Sequence, residues 1–246
     1  MKKVSDYYSY YFTIIISLIF LSGIPLFIYG QYSTGTVTDI DGNVYKTIKI
    51  GSQWWMAENL NVAHYRNGDQ IPNITDNFQW LKLSTGAFSN YDNDTDNTAT
   101  YGKLYNWYAV YDSRNIAPVG WHVPTDEEWK QLEMYLGMNR SALDATGFRG
   151  TDEGSKLAGR ASLWYRGKLK NNAAFEESGL SALPGGGRNE VGKFGDLDLG
   201  HLAYFWSSSE SSDSYAWTRH LDCYHSDVGR HSYEKRSGFS VRCVRD

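Results

Sequence analysis

The chain has 246 residues, 41% of them hydrophobic and 21% charged, with a formal net charge of -4. This suits a folded globule of one large domain or two small ones, and it excludes the Lys/Arg excess that a nucleic-acid-binding face requires. Its 9 Trp, 19 Tyr and 24 Gly exclude a helical bundle and point to loop-rich packing around aromatic rings.

Lys2 and Lys3 precede an uncharged apolar run over residues 12–29. Lysines ahead of such a run hold the N-terminus in the cytoplasm and send the remainder outward. Two readings of residues 1–30 stand side by side. One is a signal peptide cut at Gly30-Gln31. The other is a retained anchor, favoured by Tyr7, Tyr8, Tyr10 and Tyr11 on one flank and Tyr29 and Tyr32 on the other, and weakened by Gly23 and Pro25. No Cys stands near the end of the run, so a lipoprotein signal is not expected. Either way residues 31–246 form a domain that is secreted or displayed on the cell surface, with the membrane touched only through an uncleaved leader.

Residues 36–50 alternate around Asp41-Gly42-Asn43, which predicts a hairpin. Gln53 to Leu60 is expected as a strand end whose Trp54 and Trp55 cover the core. Residues 61–100 are polar and aperiodic. Leu104, Trp107, Tyr108 and Tyr111 recur at helical spacing, predicting a short half-buried helix. The clearest helix follows Pro124: Thr125 caps it, Glu128 reaches back three residues later, Trp129, Leu132 and Leu136 form the inward stripe, and Gly137 ends it. Leu183-Pro184-Gly185-Gly186-Gly187-Arg188 is a turn, since no Gly-Lys-Ser and no strand-loop-helix context make it a phosphate loop. Strands are expected over residues 203–209, 215–221 and 238–244, the last with Phe239, Val241 and Cys243 alternating with Ser240, Arg242 and Val244. No internal repeat or linker appears after residue 34, so one domain is expected.

Five ordered motifs carry a resemblance. They are Thr36-Val37-Thr38-Asp39-Ile40-Asp41-Gly42-Asn43-Val44-Tyr45, Trp55-Met56-Ala57-Glu58-Asn59-Leu60, Tyr101-Gly102-Lys103-Leu104-Tyr105-Asn106-Trp107-Tyr108-Ala109, Gly120-Trp121-His122-Val123-Pro124-Thr125-Asp126-Glu127-Glu128-Trp129, and Gly238-Phe239-Ser240-Val241-Arg242-Cys243-Val244-Arg245-Asp246. Together, over residues 35–246, they resemble the Fibrobacter succinogenes major paralogous domain, a family of bacterial surface or secreted proteins. The fourth and fifth are also similar to the formylglycine-generating, sulfatase-modifying fold, a variant of the C-type lectin-like fold. The resemblance implies an α+β domain with few helices, twisted antiparallel strands and long loops.

An enzyme of the sulfatase-modifying type would use a reactive cysteine pair. The chain has two cysteines, Cys223 and Cys243. A disulfide between them and two separate thiols are both open readings. If residues 219–223 and 239–243 paired as a hairpin, the offset would be about four residues, roughly 13 Å at strand rise, against the ~7 Å that a disulfide spans. The Glu-Pro-Asn and Gln-Pro-Asp tripeptides of calcium-dependent lectins are absent. Asp92, Asp94 and Asp96 open like a calcium loop, but Asn97 and Lys103 stand where an EF-hand needs Gly and Glu. A looser calcium site and a solvated loop both remain. His220, His225 and His231 near Asp222 and Asp227 match no defined zinc spacing. The leading expectation is therefore a non-enzymatic binding module without a cofactor. Its working face would be the loop over residues 224–237, where Tyr224, His225, Arg230, His231, Tyr233 and Arg236 meet a carbohydrate or surface-protein partner, with the polar loop over residues 90–97 as a second candidate. The alternatives are a sulfatase-modifying-type oxidase and a structural component of an outer-surface layer.

Overall fold

The first two strands form because an alternating stretch supplies its own turn. β1 (Thr34–Thr38) and β2 (Val44–Ile50) pair antiparallel, with Thr38 opposite Val44. Asp39 organises the connection: its carboxylate accepts the backbone N–H groups of Asp41 at 2.9 Å and Asn43 at 3.0 Å. Gly42 takes the left-handed φ of 84° that closes the turn. The structure, a computed structural model, describes residues 33–195 and 198–246. The leader, cleaved or retained, lies outside the described residues. Among those residues no helix is long and apolar enough to cross a membrane.

β3 (Gln53–Met56) continues the first sheet, and the end of the domain returns to it. β12 (Val244–Arg245) lies between β3 and β6 (Trp121–His122), so that Val244 stands opposite both Trp55 and His122 in the order β1-β2-β3-β12-β6. A second sheet runs β7-β10-β9-β8, built from Gly147–Arg149, Val228–Glu234, Tyr215–Asp222 and Leu202–Glu210. A third, small sheet has the order β11-β5-β4, from Gly238–Phe239, Leu104–Asn106 and Phe88–Ser89. Every pairing of these strands is antiparallel. Among the described residues the helices are short, the longest being Asp126–Tyr135. The domain is α+β.

β8 explains where the core sits. Its continuous apolar run is buried on both faces, as an unbroken run in a strand implies. Tyr204 and Trp206 point into one hydrophobic cluster, with Tyr105, Trp107 and Phe239; Ala203 and Phe205 point into another, with Trp55, Trp129 and Leu132. The Trp55 and Trp129 rings lie 4.7 Å apart. Ser207, Ser208 and Ser209 bulge out of β8 between the pairs Trp206–Thr218 and Glu210–Ala216. They serve as docking points: the Ser208 N–H donates to Pro124 O, the Ser209 hydroxyl accepts from Asp126 N–H, and Ser207 O accepts from the Trp107 indole.

The capping box is present as expected, with Thr125 Oγ1 accepting from Glu128 N–H and Glu128 Oε2 accepting from Thr125 N–H. Two other expectations need correction. The helix over 104–111 shrinks to Trp107–Val110, because Leu104 is in β5 and the Asn106 side chain caps the helix by accepting from Ala109 N–H. Tyr111 is exposed and stacks on Trp107 at 4.6 Å instead of entering the core. The single strand expected over 238–244 splits into β11 and β12. Between them Ser240 and Arg242 are as buried as Val241 and Cys243, so the alternation seen in sequence does not mark an inside and an outside.

Candidate functional site

The segment 224–237, expected as one long polar loop, carries strand β10, and its six candidate residues do not share a face. Arg230 is only 5% exposed and donates to both oxygens of Asp126, with its guanidinium 3.6 Å from the Trp217 ring centroid. His231 packs beside His220, and Tyr233 packs edge-on to Tyr204 and Phe239. Arg236 donates to Leu81 O and pairs with Glu234, while its own carbonyl accepts from the Trp80 indole. His225 stacks on Phe148 at 3.7 Å. Tyr224, at 57% exposure, is the one that faces solvent most openly. Burial lowers the His220 imidazole to about 3, helped by His231 and His225, so it stays neutral.

The other sequence candidates also separate. Asp92 takes a left-handed φ of 53°, and Asp94 turns back to accept from Asp96 N–H at 2.9 Å. Among the described residues no three His, Cys, Asp or Glu side chains are grouped to hold a metal ion. Cys223 and Cys243 are free thiols, each fully buried in a different hydrophobic cluster. Separation by the core, not the strand offset argued above, keeps them unbonded, since β9 pairs with β8 and β10 instead of with residues 239–243. Burial pushes both thiols up from their ordinary value.

A polar cleft of about 360 Å³ lies elsewhere, at the low end of the volume range of small-molecule sites. It is built from five separate stretches: residues 43–46 from the hairpin, 57–61 after β3, 98–102, Arg160, and 179–183. Asn43, Glu58, Asn59, Asn61, Thr98, Thr100 and Ser181 line it with amide, carboxylate and hydroxyl groups. Glu58 Oε2 accepts from Lys46 N–H at 2.7 Å. Asn59 is fixed from behind: its amide donates to Tyr101 O and Ser240 Oγ, and its Oδ1 accepts from Arg242 Nε at 2.6 Å. Lys103 Nζ holds both Asn61 oxygens at 2.6 Å. Thr98 Oγ1 is shielded and meets no hydrogen-bond partner.

Three backbone positions mark the same region. Among the described residues, the non-glycine residues with left-handed φ are Asp92, Asn93, Asn115, Arg160, Glu176 and Ser181. Asn and Asp adopt that conformation readily, so three of the six need no special account. The other three cluster: Arg160 and Ser181 line the cleft, and Glu176 Oε1 accepts from Arg160 N–H. Strain of about 1–3 kcal/mol per residue concentrates at ligand sites.

The cleft joins four of the sequence motifs. Asn43, Val44 and Tyr45 come from the first, Glu58 and Asn59 from the second, Gly102 from the third, and the supporting Arg242 from the fifth. The family model of the Fibrobacter succinogenes major domain matches residues 48–245. The chain belongs to this family. The match begins at Ile48 within β2, so the family domain as matched excludes β1 and the Asp39 turn, which nevertheless complete the first sheet. Neither a curated protein nor a solved structure matches the chain. The family domain thus supplies most of the cleft wall, while Asn43 to Lys46 come from just before the matched region.

Proposed function

We propose that the protein is an exported, non-catalytic module that binds carbohydrate in this cleft. The observation that carries the reading is a pre-formed cleft of amide, hydroxyl and carboxylate groups whose backbone is held in left-handed conformations at Arg160 and Ser181. Sugar hydroxyls donate and accept at once; the Asn43 and Asn61 amides offer donors and Glu58 offers acceptors in fixed positions. Hydrogen bonding from behind by Arg242 and Lys103 pre-orients Asn59 and Asn61, which lowers the ordering cost of binding. Export rests on the leader sequence. Burial of both thiols, with raised pKa values, speaks against cysteine chemistry of the sulfatase-modifying kind. The similarity of the 120–129 motif to lectin-like folds adds analogy at the level of fold only.

A glycan array tests the reading. Ala99 is exposed at the cleft edge, so Ala99→Trp fills the cleft without burying new bulk in the core. We expect glycan binding by the purified protein to be lost in Ala99→Trp, kept in Tyr224→Ala, and indifferent to a chelator. The reverse pattern of variants would return the site to the β9–β10 connection. No binding to any glycan would end the carbohydrate reading.

A further inference from the structure

The cleft also has a sign. Arg242 sits under its floor, 0% exposed, and its guanidinium donates to four oxygens: Asn59 Oδ1, Met56 O, Leu180 O and Ser181 O. None of these carries a charge. A buried charge is normally paired with its opposite, and here only the more distant Glu58 acts on it. Above the floor, the exposed side chains of Lys46 and Arg160 make no ion pair among the described residues. Glu58 is the one carboxylate in the lining. The lining therefore holds two cationic side chains, Lys46 and Arg160, against one carboxylate, with Arg242 buried beneath the floor, on a chain whose net charge is -4. A low-dielectric wall focuses such a local excess toward the opening.

Arg160 offers the cleft an exposed guanidinium. Its backbone holds a φ of 53° although it is neither Asn, Asp nor Gly, and the fold makes no use of its guanidinium in a hydrogen bond or ion pair among the described residues. A planar guanidinium matches a planar carboxylate through two parallel hydrogen bonds. Building on the carbohydrate reading above, we propose that the ligand is an acidic sugar, a uronic acid residue whose carboxylate pairs with Arg160 while its hydroxyls meet Glu58 and Asn61. Lys46 and the buried Arg242 supply the surrounding positive potential.

The experiment compares oligomers of galacturonic, glucuronic and mannuronic acid with the same oligomers methyl-esterified, using the full-length protein in titration calorimetry. The ester keeps every hydroxyl and removes the charge. We expect at least one free acid to bind about tenfold more tightly than its ester at low salt, with the gap narrowing as salt rises. In Arg160→Gln, at an exposed position, the acid falls to the affinity of the ester while the thermal midpoint holds. Equal binding of acid and ester would overturn the proposal and leave the carbohydrate reading standing. Tighter binding of a sulfated oligosaccharide than of any uronate would overturn the carboxylate assignment. Binding of neutral glycans alone on the array would do the same, and binding of no glycan would remove both readings together.

Discussion

Beneath the helix Asp126–Tyr135, Arg149 and Arg219 share Glu133, and Arg219 and Arg230 share Asp126; beneath the cleft, Arg242 meets only neutral oxygens. Both regions bury guanidinium groups, yet they treat the charge differently. In the first, two strands and a helix are locked by opposite charges at 2.6–2.7 Å, with Glu133 at 0% exposure. Burial alone would raise the Asp126 carboxyl, but hydrogen bonds from Arg230 and the charge of Arg219 hold it well below the usual carboxylate range. In the second, burial lowers the Arg242 guanidinium to about 9 against the pull of Glu58. A paired block spends its charge inside the fold. A carbonyl-caged arginine leaves its charge to be felt in the space above it.

The largest effect should come from breaking the paired block. Glu133→Gln leaves Arg149 and Arg219 without the carboxylate that joins them, and orphaning buried charge costs about 3–5 kcal/mol. The urea midpoint should fall accordingly. A loss under about 1 kcal/mol would mean that the block behaves like a surface pair and that the contrast is false. Arg242→Met strands four neutral acceptors and no charge, each costing about 1–3 kcal/mol where it stays unpaired. It should also weaken binding of an acidic ligand even where the fold survives, which Glu133→Gln should not. Acidic-ligand affinity falling equally in the two variants would erase the distinction between the regions.

The same contrast explains what was legible in the chain. Thr125 with Glu128, and Asp41-Gly42-Asn43 with its flanking strand formers, act within a few residues, so helix start and hairpin could be read locally. β10 could not. Its inward-facing Arg230 looks like a solvent residue until Asp126, 104 positions earlier, is seen to hold both of its donors. Segment 238–244 misled for a related reason: Phe239 pairs with Tyr105, Ser240 bridges Phe205 and Val244 pairs with Trp55, so the chain changes neighbours every few residues and is covered on all sides. The cleft was invisible because five distant stretches build it. Only the left-handed conformations of Arg160 and Ser181 mark it, and neither residue type signals a positive φ in sequence.

His122 sharpens the comparison from the side of exposure. It bridges Glu128 at 2.7 Å and Asp246 at 2.6 Å at the surface end of the paired helix. The hydrogen bond to Glu128, then that to Asp246, raises its imidazole from 6.5 to about 9 despite partial burial. A raised folded-state value stabilises the fold fully below the unfolded value of 6.5 and loses that contribution as pH climbs to about 9. Thermal midpoints should therefore drift down across this window, and His122→Gln should flatten the drift. An unchanged slope in the variant would show that the bridge is not the titrating element.

The smallest effect expected tests whether the cleft is strained. A left-handed φ costs an L-residue roughly 1–2 kcal/mol, and Ser181 holds one at 56°. Glycine relieves that cost, and the greater freedom of glycine in the unfolded chain takes part of the gain back. Ser181→Gly should then stabilise the protein by about 0.5 kcal/mol. The Ser181 carbonyl still accepts from Arg242 in the variant, so the floor of the cleft keeps its charge. If the strained backbone serves the ligand, the same change should loosen the cleft and weaken carbohydrate binding several-fold while stability rises, a trade that a purely structural position does not make. Calorimetric binding beside a denaturant curve separates the cases: higher stability with unchanged affinity would assign the strain at Ser181 to packing of the parallel bridge between Ala158 and Ala182 and not to recognition.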